Sequence, residues 1–391
     1  MSLLDICVCI IFLIIGVNLK NIFSGFSKFE KDILNKLFWY HIAITGIFSF
    51  YITSNGGDAL HYWEAPLNYS FSEVLHIFEK RSAIGTMYLI NFLPSNILGL
   101  SFLTGNIIYA CLGFLGFLYL FKIVKFLFPP HVALHEFKLF NISLIPWIWF
   151  LPNFHFWSSG IGKDTLLFMA IPMFIFALLN IKKYWILLVI STLISIAIRP
   201  HILLFLIISF GIGFILDGRL KGYQKVFLFL LFLVGFFSIF NFVMQFIQLD
   251  SLESSAISEY ASNKSANLNK LKTDSGVDIT SYPFALKLAT FLYRPLFFDI
   301  NGIMAVFASI ENFILLFYSC FILMKRPFYS FKKGNYLVKG SILFFLIGSV
   351  AFSLILGNLG IMLRQKNMLI PWLVIFGIWT LYQFQQRKLE I

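Results

Sequence analysis

The sequence has few charged residues and almost no long polar stretch. Charged side chains make up 12% of its 391 residues, whereas 59% are hydrophobic and 50 are phenylalanine. So much apolar surface exceeds what a soluble core can bury, which excludes a soluble globular domain. The apolar runs are continuous over roughly 15 to 25 residues, whereas the strands of a β-barrel alternate over about ten. The composition therefore predicts an all-α, polytopic integral membrane protein with a single transmembrane domain.

Cysteine is also scarce, and its positions exclude two common kinds of site. All four cysteines lie in apolar runs, without ligand spacing or polar neighbours: Cys7, Cys9, Cys111 and Cys320. We therefore expect neither a disulfide framework nor a zinc site. Residues 1–17 lack the basic start and the small-x-small cleavage site of a signal peptide, so they predict an uncleaved first helix.

Apolar runs and loop charges together predict a membrane topology. About eleven spans (10 to 12) are expected, at 3–18, 37–53, 102–121, 139–152, 165–181, 184–198, 202–216, 226–248, 297–324, 340–357 and 368–382. Alternate loops then hold most of the 30 basic residues, so the positive-inside rule makes that side cytoplasmic. The N-terminus is predicted outside and the C-terminus inside. Two segments outside the spans are a first extracytoplasmic loop at 54–101, with an amphipathic segment, and an extracytoplasmic polar loop at 248–284.

One motif sets a lysine and an aspartate side by side in this apolar chain. Residues 155–164 read HFWSSGIGKD and are predicted to join two membrane helices on the outer face. Trp157 suits the membrane–water boundary. The pair Gly162-Lys163 does not make a phosphate-binding P-loop, because Trp157 replaces the required glycine and Asp164 the required Ser or Thr. The alternative interpretation is an ordinary interfacial turn.

Other charges near helix ends are predicted on the same outer face. They are Asp58, Arg199, His201, Arg294 and Arg364. Because charges near the bilayer cost insertion free energy, such a cluster indicates function. For Arg199 the alternative is a structural ion pair with Asp164 or Asp58. For Glu311, the deepest acid, helix packing is at least as good an explanation as catalysis.

The first outer loop combines a flexible turn with aromatic rings. Gly56 and Gly57 precede Asp58 and can present its carboxylate clear of a helix end. Tyr62 and Trp63 follow, and either can stack on a sugar ring or anchor at the membrane interface.

Taken together, these motifs resemble bacterial polyprenol-dependent membrane glycosyltransferases of the GT-C type, particularly EpsG-like and O-antigen or capsular polysaccharide polymerases. The resemblance rests on four short pieces: Gly57-Asp58 with Tyr62, Phe156–Gly160 with Lys163-Asp164, Arg294-Pro295 followed by Glu311-Asn312, and Asn358–Gly360 with Arg364. It implies a polyprenyl-diphosphate-linked sugar or oligosaccharide as donor, used outside the cytoplasmic membrane of a bacterium. Partners would be membrane lipid, a flippase and a chain-length regulator, and no nucleic acid.

The residues also predict a mechanism. Glycosyl transfer from a lipid diphosphate needs a base for the acceptor hydroxyl and cations for the departing diphosphate. Asp58 is the candidate base, with Asp164 and His201 as rivals, since the acid pair typical of protein mannosyltransferases is missing beside Asp58. The diphosphate clamp is predicted to be Lys163, Arg199, Arg294 and Arg364, and the positioning rings Tyr62, Trp63 and Trp157.

No metal or other cofactor is predicted, because no ligand set accompanies Asp58. Three alternatives to a polymerase remain: a transferase that adds a single sugar, a flippase for the lipid-linked oligosaccharide, and a scaffolding subunit. A flippase would favour inverted repeats and charges on both faces, and neither pattern is evident.

Overall fold

The computed structural model describes residues 2–80, 82–129, 132, 134–139, 141–218, 221–247, 276–279 and 281–390. Within these ranges the chain is all-α apart from two two-residue strands, β1 (Lys138–Leu139) and β2 (Ile142–Ser143). It forms two compact units. The first holds residues 1–136 and 143–199, and the second holds residues 137–142 and 200–391.

The first unit is built around one long helix, α6, and a shorter buried helix, α8. Their neighbours are α1, α2 and α9, while three short helices lie between α2 and α6. The bounds are α1 Leu3–Ile22, α2 Lys28–Asn55, α3 Asp58–Glu64, α4 Phe71–Glu79, α5 Ala83–Asn91, α6 Phe102–Leu127, α7 Pro152–Phe156, α8 Lys163–Ala177 and α9 Ile181–Ile198. A π-helical stretch, Phe92–Ile97, prolongs α5.

The second unit is centred on α15, which packs against α10, α12 and α17. Its described helices are α10 Pro200–Ile215, α11 Gly222–Ile247, α12 Phe284–Tyr293, α13 Ile303–Leu323, α14 Pro327–Lys333, α15 Tyr336–Ile355, α16 Leu359–Lys366 and α17 Ile370–Glu390. The last two are separated by a short break.

Six helices of the described chain are long and apolar enough to cross a membrane: α1, α2, α6, α9, α13 and α15. The pair α16 and α17, bent by 54°, makes a seventh if it is one span. The chain therefore has the helices of a multi-pass membrane protein. The count of eleven spans and the orientation in the membrane stay predictions.

One predicted helix is wrong. Residues 139–152, where the structure describes them, do not form a membrane helix but the end of β1, strand β2, a 3₁₀ turn at Trp147–Phe150 and the start of α7. Two prolines explain the failure, because Pro146 and Pro152 lack the backbone N–H that a continuous helix needs at those positions. The segment is apolar, as the prediction assumed, but its backbone is irregular.

Residues 143–162, called the irregular segment below, nevertheless run along α6. Going forward in sequence, it contacts α6 progressively closer to that helix's start. The Trp149 ring lies 5.9 Å from that of Phe121, and the His155 ring stacks 4.5 Å from that of Phe117. Further on, the Ile161 N–H donates to Asn106 Oδ1 at 2.8 Å. The segment thus returns the chain along α6, as the predicted helix would have done, and α8 then runs parallel to α6.

Several predicted boundaries also shift. Helix α2 begins at Lys28 rather than 37, because Ser27 caps it: its hydroxyl accepts from Glu30 N–H, while the Glu30 carboxylate accepts from Ser27 N–H. Helix α13 begins at 303 rather than 297, after a 3₁₀ turn.

The predicted polar loop at 248–284 lies largely outside the described residues. Where its end is described, Gly276 pairs with Asn358 in an antiparallel bridge. The neighbouring Val277 N–H donates to the Gly357 carbonyl at 2.7 Å. This end of the loop is therefore attached to the start of α16.

Candidate functional site

Lys163 and Asp164 are the first two residues of helix α8. Gly162 precedes the helix and offers no side-chain cap to its first backbone N–H groups. Asp164, in the first turn, has the charge that a helix N-terminus favours. The rest of α8 is buried from Asp164 to Ala177. The pair is thus carried on a rigid element.

Asp164 holds Arg199 in an ion pair. One Asp164 carboxylate oxygen accepts from the Arg199 guanidinium at 2.8 Å, and the two side chains are only 6% and 11% exposed. Arg199 is placed by the end of α9, because Pro200 disfavours helix at the residue before it. A buried charge needs such a partner. The predicted structural ion pair is therefore present, and it fixes the position of the arginine.

Lys163 lies over an aromatic ring of α3, in the predicted first outer loop. Its ammonium is 5.0 Å from the centre of the Tyr62 ring, a cation–π arrangement. Asp58 stands four residues before Tyr62 on α3, and residues at that spacing share one helix face. Gly56 and Gly57 have φ values of 75° and 150°, which glycine adopts without strain. The predicted glycine turn therefore leads into α3 and leaves Asp58 exposed at its first position.

Buried hydrogen bonds attach α3 to the helices beneath it. The Asn91 amide donates to the Tyr62 carbonyl at 3.1 Å, and Tyr109 OH donates to Asn91 Oδ1 at 2.9 Å. The Trp63 indole N–H donates to the Leu100 carbonyl at 3.2 Å. Trp63 and Tyr62 are both buried. Their predicted role in sugar stacking stays untested, and it would require a ring to leave this packed position.

Trp157 lies at the end of the irregular segment. It is half-buried, and its ring meets Phe156 edge to face at 5.0 Å. The adjoining Ser158 and Ser159 are fully buried. Partial exposure agrees with a boundary position for Trp157, and its role in positioning a sugar stays a prediction.

In the second unit, Arg294 has an acidic partner that the sequence had not indicated. Its guanidinium donates two hydrogen bonds to Asp299, from Nε at 3.0 Å and from a terminal nitrogen at 2.5 Å. This bidentate contact raises the pKa of Arg294. Burial would raise the pKa of Asp299, but the hydrogen bonds from Arg294 and from the Leu296 N–H outweigh it and lower that pKa. Both groups are therefore charged.

A buried lysine ties the Arg294-Pro295 turn to two other segments. Lys366, 1% exposed, donates to the carbonyls of Leu292 and Arg294, each at 3.2 Å, and to Asn312 Oδ1 at 2.5 Å. The Asn312 amide in turn donates to the Pro295 carbonyl at 2.8 Å. Three segments far apart in sequence thus meet at one buried cation.

The remaining predicted residues of the second unit have varied surroundings. Glu311 is buried and interacts electrostatically with Lys366, so it is a partnered acid. The His201 ring lies 6.0 Å from the rings of Phe205 and Phe352. Arg364 is half-buried on α16.

A buried histidine pair was missed altogether. The Nδ1 atoms of His41 and His155 are 2.9 Å apart, and His155 Nε2 is 2.8 Å from the Trp149 carbonyl. A carbonyl only accepts, so His155 donates from Nε2 and, when neutral, accepts from His41 at Nδ1. No signal in the sequence connects the two residues, because 114 positions separate them.

The first unit therefore brings together four predicted site residues, which are Tyr62, Lys163, Asp164 and Arg199. Asp58 lies on the same short helix as Tyr62. Arg294, Arg364 and His201 belong to the second unit, so a clamp made of all four cations stays a prediction. Comparison with models of known protein families, with curated proteins and with solved structures finds no match.

Proposed function

We propose that this chain is a bacterial membrane glycosyltransferase that acts on the outer face of the cytoplasmic membrane. It would transfer a glycan from a polyprenyl-diphosphate lipid to an acceptor hydroxyl and so lengthen a surface polysaccharide. The observation that carries the proposal is the grouping of Lys163, Asp164 and Arg199 at the start of α8, beside Tyr62 of the first outer loop.

The chemistry assigns different tasks to the two cations. When the bond between the anomeric carbon and the diphosphate oxygen breaks, negative charge grows on the leaving group. Lys163 offers a point charge at a helix N-terminus, and Arg199 offers planar donors held in place by Asp164. Positioned donors of this kind stabilise such a transition state without having to reorganise.

The structure also bears on the choice of base. Asp164 is buried, and its carboxylate already accepts a hydrogen bond from Arg199. Asp58 is exposed at the start of α3 and keeps access to an acceptor sugar. We therefore assign proton removal from the acceptor hydroxyl to Asp58, rather than to its rivals Asp164 and His201.

Substitution of the cations tests the proposal. Lys163→Gln and Arg199→Ala should each lower polymer synthesis by about a hundredfold or more, as loss of a transition-state donor does. Polymer is measured on gels of surface polysaccharide from a deletion strain that carries each variant, alongside the amount of protein in membranes. Lys163→Arg should keep partial activity, and Lys80→Gln, at an exposed lysine after α4, is the control.

Two outcomes would contradict the proposal. Normal polymer synthesis by both Lys163→Gln and Arg199→Ala would show that these residues do not bind the diphosphate. In the deletion strain, a lost polymerase leaves single repeat units on lipid at the outer leaflet, whereas a lost flippase traps them at the cytoplasmic leaflet. Accumulation of single repeat units at the cytoplasmic leaflet would therefore identify a transporter.

A further inference from the structure

A cavity in the first unit lies far from the proposed glycosyl-transfer site. It has a volume of about 470 Å³ and is bordered by the start of α2, the end of α6 and the beginning of the irregular segment. Between Gly105, next to Ile161, and Lys125, at the cavity, α6 rises about 30 Å, which is the thickness of a bilayer's hydrocarbon core. The cavity is thus one membrane thickness away from the start of α8.

Its walls combine aromatic and aliphatic side chains with a pair of opposite charges. Phe121, Val124 and Trp149 form part of the apolar lining. At the rim, the Lys125 ammonium donates to both carboxylate oxygens of Glu30, at 2.9 and 2.6 Å. Their side chains are 41% and 29% exposed, so both charges are accessible. An exposed pair of this kind adds little stability to the fold, and Glu30 also caps the start of α2.

We propose that this cavity binds one membrane phospholipid whose head group carries both a phosphate and a primary ammonium, as in phosphatidylethanolamine. An acyl chain fits the apolar wall. The phosphate meets Lys125 and the ammonium meets Glu30, so each charge of the head faces its opposite. A head with only a negative charge is repelled by Glu30, and a choline head has no N–H to donate to the carboxylate.

Bilayer discs with brominated lipids test the proposal directly. Bromine on an acyl chain quenches nearby tryptophan fluorescence, and the difference between wild type and Trp149→Phe isolates the Trp149 signal. In a phosphatidylcholine matrix, brominated phosphatidylethanolamine should reach half-saturation at about a tenfold lower mole fraction than brominated phosphatidylcholine or phosphatidylglycerol, given the strength of charged hydrogen bonds. Equal quenching by all three lipids would overturn the proposal.

Two substitutions identify the recognising groups. Lys125→Gln should raise the half-saturating fraction of phosphatidylethanolamine about tenfold, and Glu30→Gln should shift the preference toward phosphatidylglycerol. Glutamine keeps the capping box of α2, so Glu30→Gln leaves that helix start intact. Lys31→Gln, outside the cavity on the same helix, is the control. If Lys125→Gln binds like wild type, the site is not built on this ion pair. The head-group comparison needs no change at the ion pair, so it stands even if Lys125→Gln or Glu30→Gln fails to fold.

Discussion

At the scale of single residues, buried polar side chains form hydrogen bonds with backbone groups where a helix is interrupted. Asn106 accepts from the Ile161 N–H in the irregular segment, and Asn312 and Lys366 bind carbonyls around the Arg294-Pro295 turn. Inside a membrane such backbone groups have no water to bind, so a missing partner costs several kcal/mol. These three polar side chains therefore supply hydrogen-bond partners to the backbone where helices break.

Lys366 is the clearest test of this role. Lys366→Met removes the donor shared by two carbonyls and the Asn312 amide oxygen, and it also leaves Glu311 without its nearby cation. The loss should be about 2–3 kcal/mol, the usual cost of breaking charged hydrogen bonds. It would appear as a lower thermal unfolding midpoint of purified protein in detergent. Lys332→Met, at an exposed lysine of the same unit, should leave the midpoint unchanged. An unaltered midpoint for Lys366→Met would show that the buried lysine is dispensable to the fold.

Some of these contacts could be predicted from the sequence, and others could not. The Asp164–Arg199 pair was foreseen as an alternative, because two opposite charges in apolar surroundings have few other partners. Asp299, Asn312 and Lys366 were not assigned roles, since their contacts depend on how distant segments fold together.

At the scale of elements, close contact between α6 and its partners depends on glycine. A β-carbon on Gly113 would lie 1.8 Å from the carbonyl oxygen of Ser158 in the irregular segment. Real atoms do not approach so closely, so the segment could not keep its place with any larger residue at this position.

Gly113→Ala should therefore destabilise the protein by at least about 2 kcal/mol through overpacking, even though alanine favours helix. Gly46→Ala on α2 is the matched control, because nothing lies within 4 Å of the added carbon there. That change should be neutral or stabilising by about 0.5–1 kcal/mol. Thermal unfolding of both variants in detergent measures the difference, and similar midpoints would mean that α6 and the segment are not in direct contact.

At the scale of the whole molecule, apolar runs predicted the helical class well but not every boundary. The predicted runs at 3–18, 102–121 and 184–198 lie within α1, α6 and α9. The run at 139–152 was misread, because hydrophobicity reports burial in the membrane and does not report backbone geometry. Its partner on α6, Phe121, could not be identified from spacing alone.

The predicted topology can be tested with two introduced cysteines in a chain whose four cysteines have been replaced. Asn55→Cys, at the exposed end of α2, should react with a membrane-impermeant maleimide in intact cells. Lys332→Cys, exposed on α14, should react only after the membrane is made permeable. This pattern follows from the positive-inside rule. Reversed labelling would move the proposed glycosyl-transfer site to the cytoplasmic side, where nucleotide sugars are available as donors.

Helix α8 is shorter than the hydrocarbon core of a bilayer is thick, which bears on how deep in the membrane its first residues would lie. Its 15 residues rise about 22 Å, whereas the hydrocarbon core is about 30 Å thick. If Ala177 reaches one boundary of the core, Lys163 and Asp164 stop about 8 Å short of the other. A diphosphate drawn to them would sink below the level of the surrounding lipid phosphates. The acceptor sugar would then have to react below the membrane surface. Bulk water, which would otherwise hydrolyse the donor, is excluded there.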